Sequence, residues 1–342
     1  MTTLINAYGT LLAPTPVDFP CDALHHRDRS AAELSEHLNQ FMGYVSAGGQ
    51  REMTASLYAV LRHLQRVQHQ WSFEVDADQR EAVSRWAWRA NAVLFYPDGS
   101  IRDPDHHVLV DPETGLPADA AQLPFPPEAR QRKAQSELLL RNRLIDTPPA
   151  LPPVVAESEV RLRTAEEVAQ RAMALFIVAV RAESLASGQP IPVENLQARS
   201  PLAFAALSPQ ENQFLATDEP DQQSVMQAAW RYEALFSLQW ALGLHAELPF
   251  PDTICEVPVV AETMLPRINE AFAAGAQLRE TSEILDALDL HQRLLWAARQ
   301  AHQNQQDPPA AIDGGVISER QHALNWLVRF EDAPWDDVDI PS

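Results

Sequence analysis

The stretch WRYEALFSLQWALGL, residues 230–244, decides how the C-terminal half of this 342-residue chain folds. Trp230, Tyr232, Phe236 and Trp240 stand among aliphatic residues, with Arg231 and Glu233 set between them. The pattern fits either a ligand pocket or a helix buried on every side. On a helix, Arg231, Leu235, Leu238 and Leu242 share one face, and Glu233, Ser237, Trp240 and Leu244 share another. Apolar residues then fall on nearly all sides, which marks a central buried helix. Arg231 and Glu233 are two apart and point in different directions, so each needs a partner on another helix. A buried charge without one costs several kcal/mol or neutralises. Natural partners for Arg231 are acids such as Glu283, Asp286 or Asp289, and for Glu233 they are Arg293, Arg299 or Arg320. The alternatives are an ion-pair network that fixes helix packing and a polar pocket in the core.

Working outward, residues 161–342 read as almost wholly helical. Capping signatures stand at Thr164 with Glu167, at Ser208 with Glu211 (Pro209 following at the first helical position) and at Ser318 with Gln321. Further helices are expected at 222–244, 258–273 and 282–304, giving an irregular bundle of about six helices. Residues 146–160 form a Pro-rich connector that opens on DTPPALPP. Before it, residues 1–145 alternate helical and strand-like patterns. TLINAYGTLL, SFEV, AVLFYPDG and HHVLVDPETG are strand-like, and SAAELSEHLNQFMGYV, TASLYAVLRHLQRVQHQ and DQREAVSRWAWRANA have helical spacing. The fold class expected is α+β: a mixed α/β domain with a small sheet, then an acidic all-α bundle.

Charge is the most unusual global property. The formal net charge is -21. Residues 1–145 hold 14 basic and 18 acidic side chains, and residues 146–342 hold 12 and 29. The given sequence ends in FEDAPWDDVDIPS, which holds Glu331, Asp332, Asp336, Asp337 and Asp339 and no base from Glu331 onward. A field of this sign repels phosphate backbones and attracts a basic protein or a cation. The longest apolar run, AMALFIVAV, is about half the ~20 residues that a membrane span needs. The first residues carry no basic-then-apolar leader pattern. A cytoplasmic protein with no nucleic-acid and no membrane partner is the expectation. Cys21 and Cys255 are far apart and make no CxxC, so two reduced structural thiols are expected.

RTAEEVAQRAMALFIVAVRAE, WRYEALFSLQWALGL, LPFPD, SEILDALDLHQRLLWAARQA and ERQHALNWLVRFEDAPWDDV follow one another in this order. Over residues 160–340 the chain resembles the bacterial family known as domain-of-unknown-function family 4272. The N-terminal part resembles the upstream region of longer members. The resemblance implies a mainly helical domain and transfers no reaction, cofactor or catalytic residue.

Two further constellations stand out. Ile284, Leu288, His291, Leu295, Ala298 and His302 form one helical stripe, in which His291 reads as a neutral core histidine with one hydrogen bond. Arg293 follows Asp289 at the spacing of a local ion pair, and Trp296 and Arg299 share another face. In SERQHALNWLVRF, Glu319 and His322 have the Glu-x-x-His form of di-iron carboxylate bundles, but no second such pair stands in the helical half. The paired histidines His25-His26 and His106-His107 fall in loop-like stretches, and DPDHH reads as a hairpin turn before it reads as a cation site. No HExxH, G-x-S-x-G, P-loop or dinucleotide-binding glycine pattern occurs. Neither a metal nor a cofactor is implied.

Two functions compete. One is an acidic module that binds a basic protein, as an immunity or antitoxin protein does, with Glu331, Asp332, Asp336, Asp337 and Asp339 facing the partner. The other is an enzyme acting on a small anionic substrate in a helical pocket. Arg231, Glu233, His291, Arg293, Arg299, Glu319, Arg320 and His322 would form its polar network, with shifted pKa values for acid and base.

Overall fold

The computed structural model describes residues 2–341. It divides into two compact units. The first takes the chain up to Gln131 together with Val155–Val160; the second takes Arg132–Val154 and the chain from Arg161 onward. The segment expected as a connector is thus shared between the two.

The first unit is built on a six-stranded antiparallel sheet. Its elements in chain order are β1 (Thr3–Gly9), β2 (Asp22–Asp28), α1 (Ala32–Val45), α2 (Ala55–Arg66), β3 (His69–Val75), α3 (Arg80–Arg89), β4 (Ala92–Phe95), β5 (Ile101–Arg102) and β6 (Val108–Val110). The sheet order is β2-β3-β1-β4-β5-β6. Central β1 sets Thr3 opposite Val75 and Gly9 opposite His69. Side chains alternate between faces. Tyr8 and Val93 join α1 and α2 in one core, while Ile5, Ala7, Ala92 and Leu94 join α3 in another. Gly9 is required by close approach, because a Cβ there would lie 2.8 Å from both Ala90 O and the Trp71 ring.

One expectation is corrected here. His25 and His26 lie on β2, not in a loop. This edge strand is mostly exposed and polar, so no apolar alternation announces it. His106 and His107 do sit at the turn joining β5 to β6, where Asp103 Oδ1 accepts from the His107 backbone N–H at 2.8 Å.

The second unit is helical. After α4 (Pro127–Arg141) come α5 (Ala165–Ala186), α6 (Val193–Arg199), α7 (Pro201–Ala205), α8 (Pro209–Ala216), α9 (Gln222–Ala229), α10 (Arg231–Ala241), α11 (Val257–Met264), α12 (Glu270–Gly275), α13 (Thr281–Gln303) and α14 (Gly314–Leu327). The ten helices from α5 onward, among the described residues, replace the six expected. The helix expected at 222–244 breaks at Trp230 into α9 and α10, and that expected at 258–273 is interrupted at Pro266, which cannot supply a helix hydrogen bond. The third cap is also corrected. Asp313, not Ser318, caps α14, accepting from Gly315 N and Val316 N. Ser318 lies inside the helix and donates to Gly314 O at 2.7 Å. The caps at Thr164 and Ser208 both form full capping boxes.

α10 packs against α5, α11 and α14, and every residue from Tyr232 to Ala241 is buried. α5 carries the long apolar run and is buried on most of its surface. No helix among the described residues is long and apolar enough to cross a membrane. The Pro-rich stretch is held in place rather than left loose. Asp289 accepts from Val154 N at 3.3 Å, and Arg293 donates to Pro152 O at 3.3 Å.

Candidate functional site

The buried polar residues sort into pairs within the helical unit. Arg320 of α14 donates to Glu233 of α10 at 3.0 Å, with both side chains almost fully buried. Glu233 also accepts from Cys255 N, and Arg320 donates to Pro249 O at 2.6 Å. Arg293 and Asp289 pair along α13 at 2.8 Å. Arg231 pairs with Glu319 at 2.9 Å. The partner of Glu233 is one of the three bases expected, but that of Arg231 is none of the three acids. Those acids are engaged elsewhere: Asp289 with Arg293, Asp286 with Arg132, Glu283 with Arg279. Burial raises the Glu319 carboxyl pKa, and Arg231 beside it opposes the rise. Arg299 is half-buried on α13.

His291 is a buried core histidine whose Nδ1 lies 2.8 Å from Ala287 O. Burial first, then the nearby Arg320, pushes its pKa down to about 4, so the ring is neutral near pH 7. His322 is likewise pushed down to about 4, by burial and then by Arg231. Glu319 and His322 face different partners: the first meets Arg231, and the second meets the ring of Trp335 at a centroid distance of 4.6 Å. No cluster of three or more His, Cys, Asp or Glu fit to hold a metal occurs among the described residues. Cys255 is buried and Cys21 half-buried, and both are free thiols.

An opening lies elsewhere, a cleft of about 500 Å³ lined by α5, the start of α8, the end of α14 and the residues after it. None of Arg231, Glu233, Arg293 or Arg320 lines it. Its walls carry Arg163, Glu167, Arg171, Trp326, Trp335, Asp336 and Asp337. Arg163 stacks over Trp326 at 4.4 Å, and Arg171 over Trp335 at 4.9 Å, both within cation–π range. Arg163 also donates to Trp326 O at 2.9 Å and Ala333 O at 2.8 Å. Arg171 pairs with Glu211, whose same carboxylate oxygen closes the Ser208 capping box. Two lining residues carry buried atoms without a hydrogen-bond partner among the described residues, Arg171 Nε and Trp335 Nε1, and so do their neighbours behind the wall, Glu211 Oε1 and His322 Nε2.

The acidic terminus forms one rim of this cleft. Trp335 and Val338 are buried and anchor it, and Asn325 donates to Asp339 O at 2.8 Å. Asp336 differs from the other four acids: it is half-buried and accepts from Gln210 N at 2.9 Å in the first turn of α8. Glu331, Asp332, Asp337 and Asp339 are exposed. Asp332 lies 3.6 Å from Arg329, while the Asp337 carboxylate has no hydrogen bond or ion pair among the described residues. Residue reading missed Arg171 and Glu211 as a pair. The available signal was an arginine immediately before the apolar run of α5, for which burial demands a counter-charge.

The helices that build both the interior pairs and the cleft coincide with a known domain. The chain belongs to the DUF4272 family. The family's profile, described as a domain of unknown function, matches residues 132–338. No curated protein and no solved structure matches the chain. The DUF4272 domain therefore contains α5 to α14 and the cleft, and the β-sheet unit largely precedes it.

Proposed function

We propose that the DUF4272 domain binds a basic protein partner through its acidic C-terminal surface, in the manner of an immunity or antitoxin protein that holds a basic toxin. One observation carries the reading: an exposed acid without a matching base, Asp337, stands at the mouth of an open cleft, while the interior charges neutralise one another. Asp337 and Asp339 are exposed, and the half of the chain that bears them holds 29 acids against 12 bases. Such a surface steers a cationic partner and raises its association rate. The competing reading, an enzyme using Arg231, Glu233 and Arg320 on an anionic substrate, has weaker support. These groups are paired in the bundle and line no part of the cleft.

The test is affinity capture of the full chain from its native cells, read by mass spectrometry over a salt series. A basic protein retained at low salt and released at high salt is expected, since surface charge is screened within about 8 Å at physiological ionic strength. A chain carrying Glu331→Gln, Asp332→Asn and Asp339→Asn should retain much less of it. Capture that ignores both salt and these substitutions, or no basic protein at all, would refute the reading.

A further inference from the structure

We infer that the cleft of the DUF4272 domain takes one extended, basic peptide segment, a reading that rests on the basic-partner proposal and names where and how the partner is read. The cleft, at about 500 Å³, lies in the range of sites that enclose a small ligand or a few residues of chain.

Its charges select the ligand's sign. Arg163 is answered by two backbone carbonyls and lies 3.7 Å from Glu167. Arg171 is answered by Glu211. Asp336 holds the start of α8, and Asp337 is exposed with nothing opposite it among the described residues. The unmatched charge at the mouth is therefore negative, and it attracts a lysine or arginine side chain while disfavouring a carboxylate or phosphate.

Its hydrogen-bonding groups select what accompanies that cation. Arg171 Nε–H and Trp335 Nε1–H are donors on residues more than nine-tenths buried, and neither has an acceptor among the described residues. A buried donor left without an acceptor is destabilising. With acids at the rim, the acceptor that fits is a neutral one, and a peptide carbonyl is the neutral acceptor that arrives attached to a basic side chain. Both nitrogens are closed off from solvent in the free chain, so a carbonyl reaches them only as the side chains around them shift.

The experiment titrates the isotope-labelled full chain with the peptide Ac-Gly-Arg-Arg-Gly-amide. Ac-Gly-Glu-Glu-Gly-amide serves as the acidic control. Binding that saturates, moves the Trp335 indole N–H resonance and weakens at least fivefold in Asp337→Asn is expected. The acidic peptide should leave the spectrum unchanged. Absence of saturable binding, or equal affinity in Asp337→Asn, overturns the inference. Asp337 is exposed and outside every buried pair, so that variant folds. Repeating native-cell capture with Asp337→Asn separates the two readings. A partner held by Asp337→Asn but lost from the Glu331, Asp332 and Asp339 variant sinks the cleft and keeps the basic partner. Asp337-dependent peptide binding with no basic protein captured keeps the cleft and sinks the partner.

Discussion

The helical unit holds the same residue types in two settings, and the settings ask different things of them. Between α10 and α14, and along α13, arginines and acids are buried face to face, with Glu233 and Arg320 as the clearest case. At the cleft, Arg163 and Arg171 are likewise occupied, but Asp337 is left facing water. A buried ion pair gains little net stability over apolar packing, yet losing one partner is severe because the other charge is stranded. An exposed charge affects folding little and association more. The interior pairs thus specify how the helices dock, and the unmatched rim charge is what is available to a partner.

The largest effect should come from breaking an interior pair. Arg320→Met strands Glu233 in the core and is expected to lower stability by about 3–5 kcal/mol, read as a fall in the urea midpoint of the full chain. Adding Glu233→Gln should restore at least half of that loss. The amide removes the stranded charge and keeps an acceptor for Cys255 N. If the double variant is as unstable as the single one, the pair is not the reason for the damage.

A second test uses protons. The His291 pKa lies near 4 in the fold, against about 6.5 in an unfolded chain, so unfolding takes up a proton below neutrality. The contribution is complete above about pH 6.5 and is lost as pH falls toward 4, reaching roughly 3 kcal/mol there. His291→Leu should therefore flatten the fall of the urea midpoint between pH 6.5 and 4. His322 and His63, also pushed down to about 4, keep part of the slope. An unchanged slope would mean that His291 is not held neutral.

The interior half of this comparison was the more legible from residues alone. The burial of α10 followed from apolar residues on every side, and the caps at Thr164 and Ser208 followed from local spacing. The sheet's central strands announced themselves by composition. What escaped was non-local or silent. Strand β2 is polar and exposed, so periodicity says nothing about it. The break at Trp230 has neither Pro nor Gly to mark it. Helix α14 begins on two glycines, poor helix formers, and the serine signature inside it misled. The cleft joins groups distant in sequence, since Gln210 meets Asp336 across 126 positions and Arg171 meets Glu211 across 40. Nothing local encodes such a meeting, and acids read from composition as one surface divide into inward Asp336 and outward Asp337 only once the chain is folded.

A smaller effect is expected where the two settings meet. Ser208 caps α8, and Glu211 serves both that cap and Arg171. Ser208→Ala should cost about 1 kcal/mol, as loss of a helix cap does. It should also loosen Glu211 and weaken binding of the basic peptide at the cleft. Ser318→Ala, inside α14, should change stability by less than about 0.5 kcal/mol. Equal losses for the two serines would mean that Ser208 contributes no cap.

The smallest effect on stability should come from Asp337→Asn, and that smallness is the point. The carboxylate is exposed and lacks a hydrogen bond or ion pair among the described residues, so its removal should shift the urea midpoint by an amount equivalent to less than about 0.5 kcal/mol. The same change should lower affinity for the basic peptide at least fivefold, and the loss should shrink as salt is added, because only a solvent-facing charge is screened so readily. Stability and binding then separate at this residue and fall together at Arg320. If Asp337→Asn instead destabilised the chain as an interior variant does, the division between charges that hold the helices and charges that face solvent would collapse at the position where it is drawn most sharply.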